Sequence, residues 1–168
     1  MESGWTSGLW RQFGAAIDML EKAIDACPES LWGDRSRNPE YWYLLYHTLF
    51  WLDLYLHGSF EGFAPPAPYT LDELDPRGLF PDRVYTKAEM KRYLAHCREK
   101  CRAAIAALTE ERAGARCAID RFETAGELFI YNLRHVQHHA AQLYLILRQT
   151  IDSTPGWVDK TGHSLHTG

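Results

Sequence analysis

His135 and His139 stand four residues apart in a stretch, residues 131–149, whose apolar spacing is that of a helix. Side chains four residues apart leave one face of a helix about one turn, roughly 6 Å, apart. This is the spacing of two ligands that bind the same metal ion. Whether the pair forms a metal site therefore depends on a third ligand that can reach it.

His47 is the best candidate for that third ligand. The residues three and four positions away from it are apolar or aromatic: Tyr43, Leu44, Phe50 and Trp51. We therefore expect its ring to point into the protein, where it could meet His135 and His139 if the two helices are neighbours. Three neutral imidazoles would leave coordination positions to water or substrate, and such an open site acts as a Lewis acid. The alternative is that these are hydrogen-bonded core histidines without a metal.

The other histidines are weaker candidates. His138 points about 100° away from His139 around the helix, so we predict that it is a second-sphere or solvated residue. The rest have no partner at a useful spacing or lie near the C-terminus: His57, His96, His163 and His166. We expect any metal contact in that terminal segment to have no function.

Four segments show the three- and four-residue apolar spacing of helices. The first follows a possible cap at Thr6 or Ser7 and stops at Pro28. The third and fourth each begin with a predicted capping box, a Thr followed three residues later by a Glu. These boxes are Thr86 with Glu89 and Thr124 with Glu127, and the fourth helix is predicted to run to about residue 151.

The second helix is predicted to begin with Asn38 as N-cap and Pro39 in the first turn, and to end at Gly58. It is too rich in aromatics to have one wet face, so we expect it to be largely buried. Residues 58–85 follow, with a density of Pro and Gly that excludes a long helix. We interpret this connection as a crossover strap over the bundle, with a substrate lid as the alternative.

These segments predict an all-α fold, a four-helix bundle with a long crossover connection between helices two and three. We assign residues 1–168 to a single domain, since 168 residues with 46% hydrophobic content suit one core. From about residue 152 the chain has no apolar period, and we expect a mobile tail that Trp157 anchors.

The net charge of -4 offers no basic surface for nucleic acid. The apolar run at residues 41–56 is too short to span a membrane. The N-terminus lacks the pattern of a signal peptide, and the four cysteines lack metal or disulfide spacing, so we expect reduced thiols and a cytoplasmic location.

Sequence motifs for the chemistry itself are missing. HExxH, GxSxG and a Walker loop are absent, and no residue stands out as a general base. Tyr43, Tyr131 and Gln142 are near enough by helical spacing to touch a ligand. The catalytic residues are therefore unknown at this stage.

Two stretches resemble a known family. They are HTLFW at residues 47–51, and HVQHHAAQL at residues 135–143 with the LRQ that follows at 147–149. In order, separation and chain length they look like the DinB/YfiT-like superfamily of metal-binding four-helix bundles. Residues 140–141 are Ala-Ala where that family often has Arg-Gly, which leaves the histidines undisturbed.

The resemblance implies a divalent ion, often nickel or zinc, held by His47, His135 and His139. Members with assigned activity include bacillithiol-dependent thiol transferases and a mycothiol-dependent maleylpyruvate isomerase. We therefore expect a metal-dependent enzyme of thiol-transferase or hydrolase type. Its expected partners are a small-molecule substrate and a low-molecular-weight thiol. The alternative is a non-catalytic metal-binding bundle that binds a ligand or partner as a homodimer.

Overall fold

The structure is a computed structural model that describes residues 4–166. Within these residues the chain is all-helical, with one isolated β-bridge between Arg116 and Thr124 and no strand. The all-α prediction is therefore confirmed. The helices are α1 (Gly4–Ala26), α2 (Glu29–Trp32), α3 (Tyr41–His57), α4 (Lys87–Ala106), α5 (Glu110–Gly114) and α6 (Ala125–Ile151).

The four long helices form the core. α1 packs against α4 and α6, and α3 packs against the same two helices. The largest fully buried side chains are mostly aromatic and include Trp10, Phe13, Trp42, Tyr46 and Tyr93. The crossover path of the connection between α3 and α4 stays a prediction.

α3 is buried on almost all sides, as its composition predicts. Twelve of its 17 residues are buried, and they occupy every face of the helix. None of the helices within residues 4–166 combines the length and the apolar content needed to cross a membrane. The apolar run at residues 41–56 instead forms the central helix of the protein.

Helix boundaries show where capping predictions succeed and fail. Thr86 and Glu89 form the expected reciprocal capping box. Thr124 caps α6, but the Glu127 carboxylate accepts from the backbone N–H of Glu123 rather than from that of Thr124. The short helix α5 was not among the four predicted segments; the Thr109 side chain caps it by accepting a hydrogen bond from the Arg112 N–H.

Two predicted caps are wrong. Thr6 and Ser7 lie inside α1, which already includes Gly4. Asn38 and Pro39 precede α3 without capping it, because Glu40 is still extended, with φ -62° and ψ 144°. The first helical hydrogen bond of α3 is donated by the Leu44 N–H to the Glu40 carbonyl.

The C-terminal segment is held along the bundle, and the prediction that Trp157 anchors it is wrong, since Trp157 is 69% exposed. Thr161 and Leu165 are buried instead. The Trp10 indole donates to the His163 carbonyl at 2.7 Å, and the Thr161 N–H donates to the Arg11 carbonyl at 3.0 Å. Backbone carbonyls and a small side chain provide this docking, and periodicity does not reveal them.

A close approach at Gly14 makes this docking sensitive to one methyl group. A Cβ at Gly14 would lie 2.5 Å from Thr161 Cγ2 and 2.7 Å from Thr161 Cβ. We expect Gly14→Ala to destabilise the protein by about 1–3 kcal/mol, the usual range for overpacking. Gly8→Ala, in the same helix with nothing within 4 Å, is the matched control and should be neutral or slightly stabilising. Urea unfolding measures both; equal stability of the two variants would contradict the prediction.

Asp53 is a buried carboxylate between α3 and α4, only 1% exposed. It accepts hydrogen bonds from the Lys100 ammonium and from the Tyr93 hydroxyl, the latter at 3.2 Å. His96 Nε2 lies 3.4 Å from the same carboxylate, a partner that the sequence analysis did not identify. Spacing along one helix cannot reveal a partner on another helix.

All four cysteines have free thiols, and all are buried: Cys27, Cys97, Cys101 and Cys117. Burial raises the pKa of Cys27 to about 12 and raises the pKa values of Cys97 and Cys101 well above the ordinary value. Cys97 and Cys101 lie fully buried in the core.

Candidate metal centre

The three predicted histidines meet where α3 packs against α6. The ring centroids are 5.6 Å apart for His47 and His135, 5.0 Å for His47 and His139, and 4.5 Å for His135 and His139. Each side chain offers one ring nitrogen, and the three nitrogens lie within 4.8 Å of one another. These residues therefore form a group that could hold a metal ion.

Burial keeps two of these imidazoles in the neutral form that metal binding requires. Burial, reinforced by the neighbouring histidines, lowers the pKa of His135 to about 3. Burial also lowers the pKa of His139 to about 4, although a hydrogen bond with Gln142 opposes the shift. Both rings are consequently neutral near pH 7 and able to donate a lone pair.

Glu73 fixes the orientation of His47. Its Oε2 lies 2.8 Å from His47 Nδ1 and accepts a hydrogen bond from Trp51 Nε1 at 3.0 Å. Burial favours the protonated acid, but the hydrogen bonds from His47, Tyr43 and Trp51 outweigh it and lower the pKa of Glu73. An ionised carboxylate only accepts hydrogen bonds, so Nδ1 of His47 is the protonated nitrogen and Nε2 is left for a metal.

The two histidines of α6 differ in their partners. His139 Nδ1 lies 2.6 Å from the Gln142 side-chain oxygen one turn further along, which leaves Nε2 for an ion. His135 Nδ1 is buried without a hydrogen-bond partner in the described part of the chain. A buried nitrogen without a partner costs free energy. The three-histidine group is therefore better explained as a site for a bound cation than as a purely structural cluster.

Aromatic side chains surround the three histidines. Tyr43, Trp51 and Tyr55 lie at four-residue intervals on the same side of α3 as His47. The Trp51 ring is 6.2 Å from the His47 ring, and the Tyr55 ring is 6.0 Å from the His135 ring. These walls restrict water around the site while His47 remains 30% exposed. All three side chains are partly exposed, so the group can be reached from solvent.

A cavity of about 650 Å³ also borders His135. Tyr131, Arg134 and His138 of α6 line it together with Trp157 of the C-terminal segment. Its lining contains no acidic residue, and Arg134 has no ion-pair partner within residues 4–166. This volume is typical of a small-molecule site, and its charge favours an anion.

The remaining histidines lie outside the group. His138 is exposed beside His139, with ring centroids 5.1 Å apart, as helical geometry predicts. His57 is exposed and bonds the Glu61 carbonyl at 3.2 Å. His163 lies near Asp18 and Glu21 in a second possible metal group. Arg98 already binds both carboxylates of that group, at 3.1 and 2.7 Å, so a cation is not needed there.

Glu73 is the residue that sequence reasoning missed. It sits in a 3₁₀ turn, Asp72–Leu74, inside the connection between α3 and α4. No periodic pattern places a residue of such a segment in space. The one available signal was that connections of this length often border a functional site.

The fold and this three-histidine group define an all-helical protein with a candidate metal site between two bundle helices. Comparison with protein families assigns the class: the profile of the DinB superfamily matches residues 12–143. The chain therefore belongs to the DinB superfamily, and His47, His135 and His139 all lie inside the matched region. No curated protein and no solved structure matches the chain significantly.

The lowered pKa values predict that the metal-free protein loses stability in acid. In the unfolded chain the histidines titrate near pH 6.5, whereas in the folded protein the pKa is about 4 for His139 and about 3 for His135. The folded protein therefore has its full stability above pH 6.5 and loses stability as the pH falls from there towards 4 and 3. His135 should contribute up to about 1.4 kcal/mol per pH unit in this window, and the more exposed His139 less. Urea unfolding of chelator-treated protein at pH 7 and pH 5 measures the loss. His135→Gln should show a smaller loss, and equal losses would contradict the assignment.

Proposed function

We propose that this DinB-superfamily protein is a metal-dependent enzyme of thiol-transferase or hydrolase type that acts on a small molecule. His47, His135 and His139 hold one nickel or zinc ion in this proposal. In the proposed reaction the sulfur of a low-molecular-weight thiol, or the oxygen of water, forms a bond to an electrophilic carbon of the substrate. The bond from that carbon to its leaving group breaks, the leaving group keeps the electron pair, and the proton of the thiol or water passes to solvent.

One observation carries the proposal: three imidazoles converge on one point, and within residues 4–166 the group contains no fourth metal-binding side chain. Structural zinc sites are closed by four protein ligands, whereas catalytic sites have three and keep a position open. The incomplete set favours an ion that also binds a reactant. It argues against the alternative of a purely structural metal.

The side chains around the group suit this chemistry. A divalent ion held by three neutral imidazoles supplies Lewis acidity, which lowers the pKa of a bound thiol or water. Because the rings of His135 and His139 are neutral, they would not reduce the positive charge of the ion that they bind. Trp51 and Tyr55 limit competing water, and partial exposure of His47 leaves a route for the substrate.

The cavity beside His135 suggests where part of the substrate binds. Arg134 supplies a positive charge that no carboxylate of residues 4–166 pairs with, and Tyr131 and Trp157 supply aromatic surface. The proposed substrate or thiol therefore carries an anionic group next to an apolar or aromatic part.

The test uses protein purified without a His tag and loaded with nickel or zinc. An aryl halide and a nitrophenyl ester are offered as electrophiles, each with and without a low-molecular-weight thiol. We expect metal-dependent turnover that a chelator abolishes; a thiol requirement identifies a transferase, and turnover in water alone identifies a hydrolase. Elemental analysis showing no bound transition metal in the untreated or the loaded protein would overturn the proposal.

The proposal includes a homodimer. The outward side of α6 exposes large apolar side chains, among them Ile130 (46%) and Leu145 (53%). A second copy covering these residues would remove them from water. Analytical ultracentrifugation that shows a monomer at micromolar concentration would contradict the proposed homodimer.

A further inference from the structure

Glu73 connects the candidate metal centre to a segment distant in sequence. It belongs to the connection between α3 and α4, yet its side chain is only 4% exposed and contacts three residues of α3, Tyr43, His47 and Trp51. Most of the other acidic residues of this connection are exposed or pair with neighbours in sequence, such as Asp75 with Arg77. A buried carboxylate in a surface segment needs a specific reason for its position.

The placement of Glu73 is fixed by contacts on both sides of it. Before it, the Tyr46 hydroxyl donates to the Thr70 carbonyl at 3.0 Å, and the Tyr69 ring stacks on Tyr93 at 4.1 Å. Beyond it, the Phe80 ring lies 4.4 Å from the Tyr43 ring. These contacts hold the connection against α3 and α4. The position of Glu73 beside His47 is therefore fixed by its neighbours in the connection as well as by its own side chain.

We propose that Glu73 is a positioning residue that holds His47 in its metal-binding orientation and couples the connection at residues 58–85 to occupancy of the metal site. This inference rests on the metal site of the proposed function. A carboxylate that accepts a hydrogen bond from the Nδ1–H of a histidine fixes the tautomer and orients the ring. It also makes Nε2 a stronger electron-pair donor to a metal ion.

The coupling works in both directions. If the Glu73 contact strengthens metal binding by some factor, bound metal strengthens docking of the connection by the same factor, because linkage between two binding equilibria is reciprocal. Metal loading is then expected to protect residues 58–85 from hydrogen exchange. The connection at the site thus responds to the metal.

The test compares Glu73→Ala and Glu73→Gln with Glu61→Gln, a matched control at an exposed glutamate of the same connection. The dissociation constants of Zn²⁺ and of Ni²⁺ are measured by competition with a chromophoric chelator. We expect Glu73→Ala to weaken binding about 10–100-fold, the usual effect of losing an outer-sphere partner. Glu73→Gln should have an intermediate affinity, since the amide oxygen can accept the hydrogen bond from His47 Nδ1–H but carries no charge. Glu61→Gln should bind as the wild type does.

Two further measurements separate positioning from a structural role. Trp51→Phe removes the indole hydrogen bond to Glu73 while leaving the contact with His47, so it should change the metal affinity far less than Glu73→Ala. Hydrogen exchange of residues 58–85 should slow on metal loading in the wild type and not in Glu73→Ala.

The outcomes are distinguishable from those of the proposed function. Wild-type affinity in Glu73→Ala, or equal metal protection of the connection in both proteins, overturns this inference and leaves the metal enzyme intact. Metal binding without turnover overturns the enzyme and leaves this inference intact. A wild type that binds neither ion overturns both.

Discussion

Replacing His135 with alanine is expected to reduce bound nickel or zinc from about one equivalent to less than about a tenth. The His135 ring lies 5.6 Å from the His47 ring and 4.5 Å from the His139 ring, and its buried Nδ1 has no hydrogen-bond partner within residues 4–166. Its loss leaves two imidazoles, too few to hold an ion against water. Elemental analysis of untagged protein after gel filtration measures the change.

His138→Ala is the matched control for this prediction. His138 is on the same helix, one residue from His139, but it is exposed and outside the three-nitrogen group. Its removal should leave the metal content unchanged. If both variants retain the metal, or both lose it equally, the assignment of ligands is wrong.

The second large effect is on stability. Asp53→Ala should lower the free energy of unfolding by about 3 kcal/mol, because it leaves the Lys100 ammonium and the Tyr93 hydroxyl without their shared acceptor. Lys100 keeps some access to water, which limits the loss. Urea unfolding at pH 7 measures it.

Asp53→Asn separates charge from packing. The amide keeps the volume and one acceptor for Tyr93, so this variant should lose less stability than Asp53→Ala. Asp82→Ala, at an exposed position of the connection, should change stability by less than about 0.5 kcal/mol. Wild-type stability in Asp53→Ala would show that the buried ion pair contributes nothing net.

Periodicity along the chain was enough to predict the long helices and to predict that His47, His135 and His139 come together between two of them. The i, i+4 spacing of His135 and His139 and the apolar neighbours of His47 are local properties, and they remain valid when the helices pack. Spacing alone does not fix how α6 is rotated against its neighbours: Leu128 and Asn132 are buried, whereas Phe129 and Leu133, each one residue further along, are only partly buried.

Contacts between distant segments could not be predicted in this way. Glu73 reaches His47 from a Pro-rich connection, and His96 reaches Asp53 across two helices. Thr161 fits against Gly14 because the glycine lacks a side chain, while the more conspicuous Trp157 stays exposed. Each depends on three-dimensional proximity that neither composition nor spacing encodes.

The burial of every cysteine has a consequence for kinetics. Cys27, Cys97 and Cys101 have raised pKa values, and Cys117 is also buried, so the chain offers no ready thiolate to attack a substrate. A thiol transferase built on this chain must take its sulfur nucleophile from solution and hold both reactants at once. Initial-rate plots against the two substrates should then intersect, as for a ternary complex, instead of running parallel as they do for a covalent enzyme intermediate.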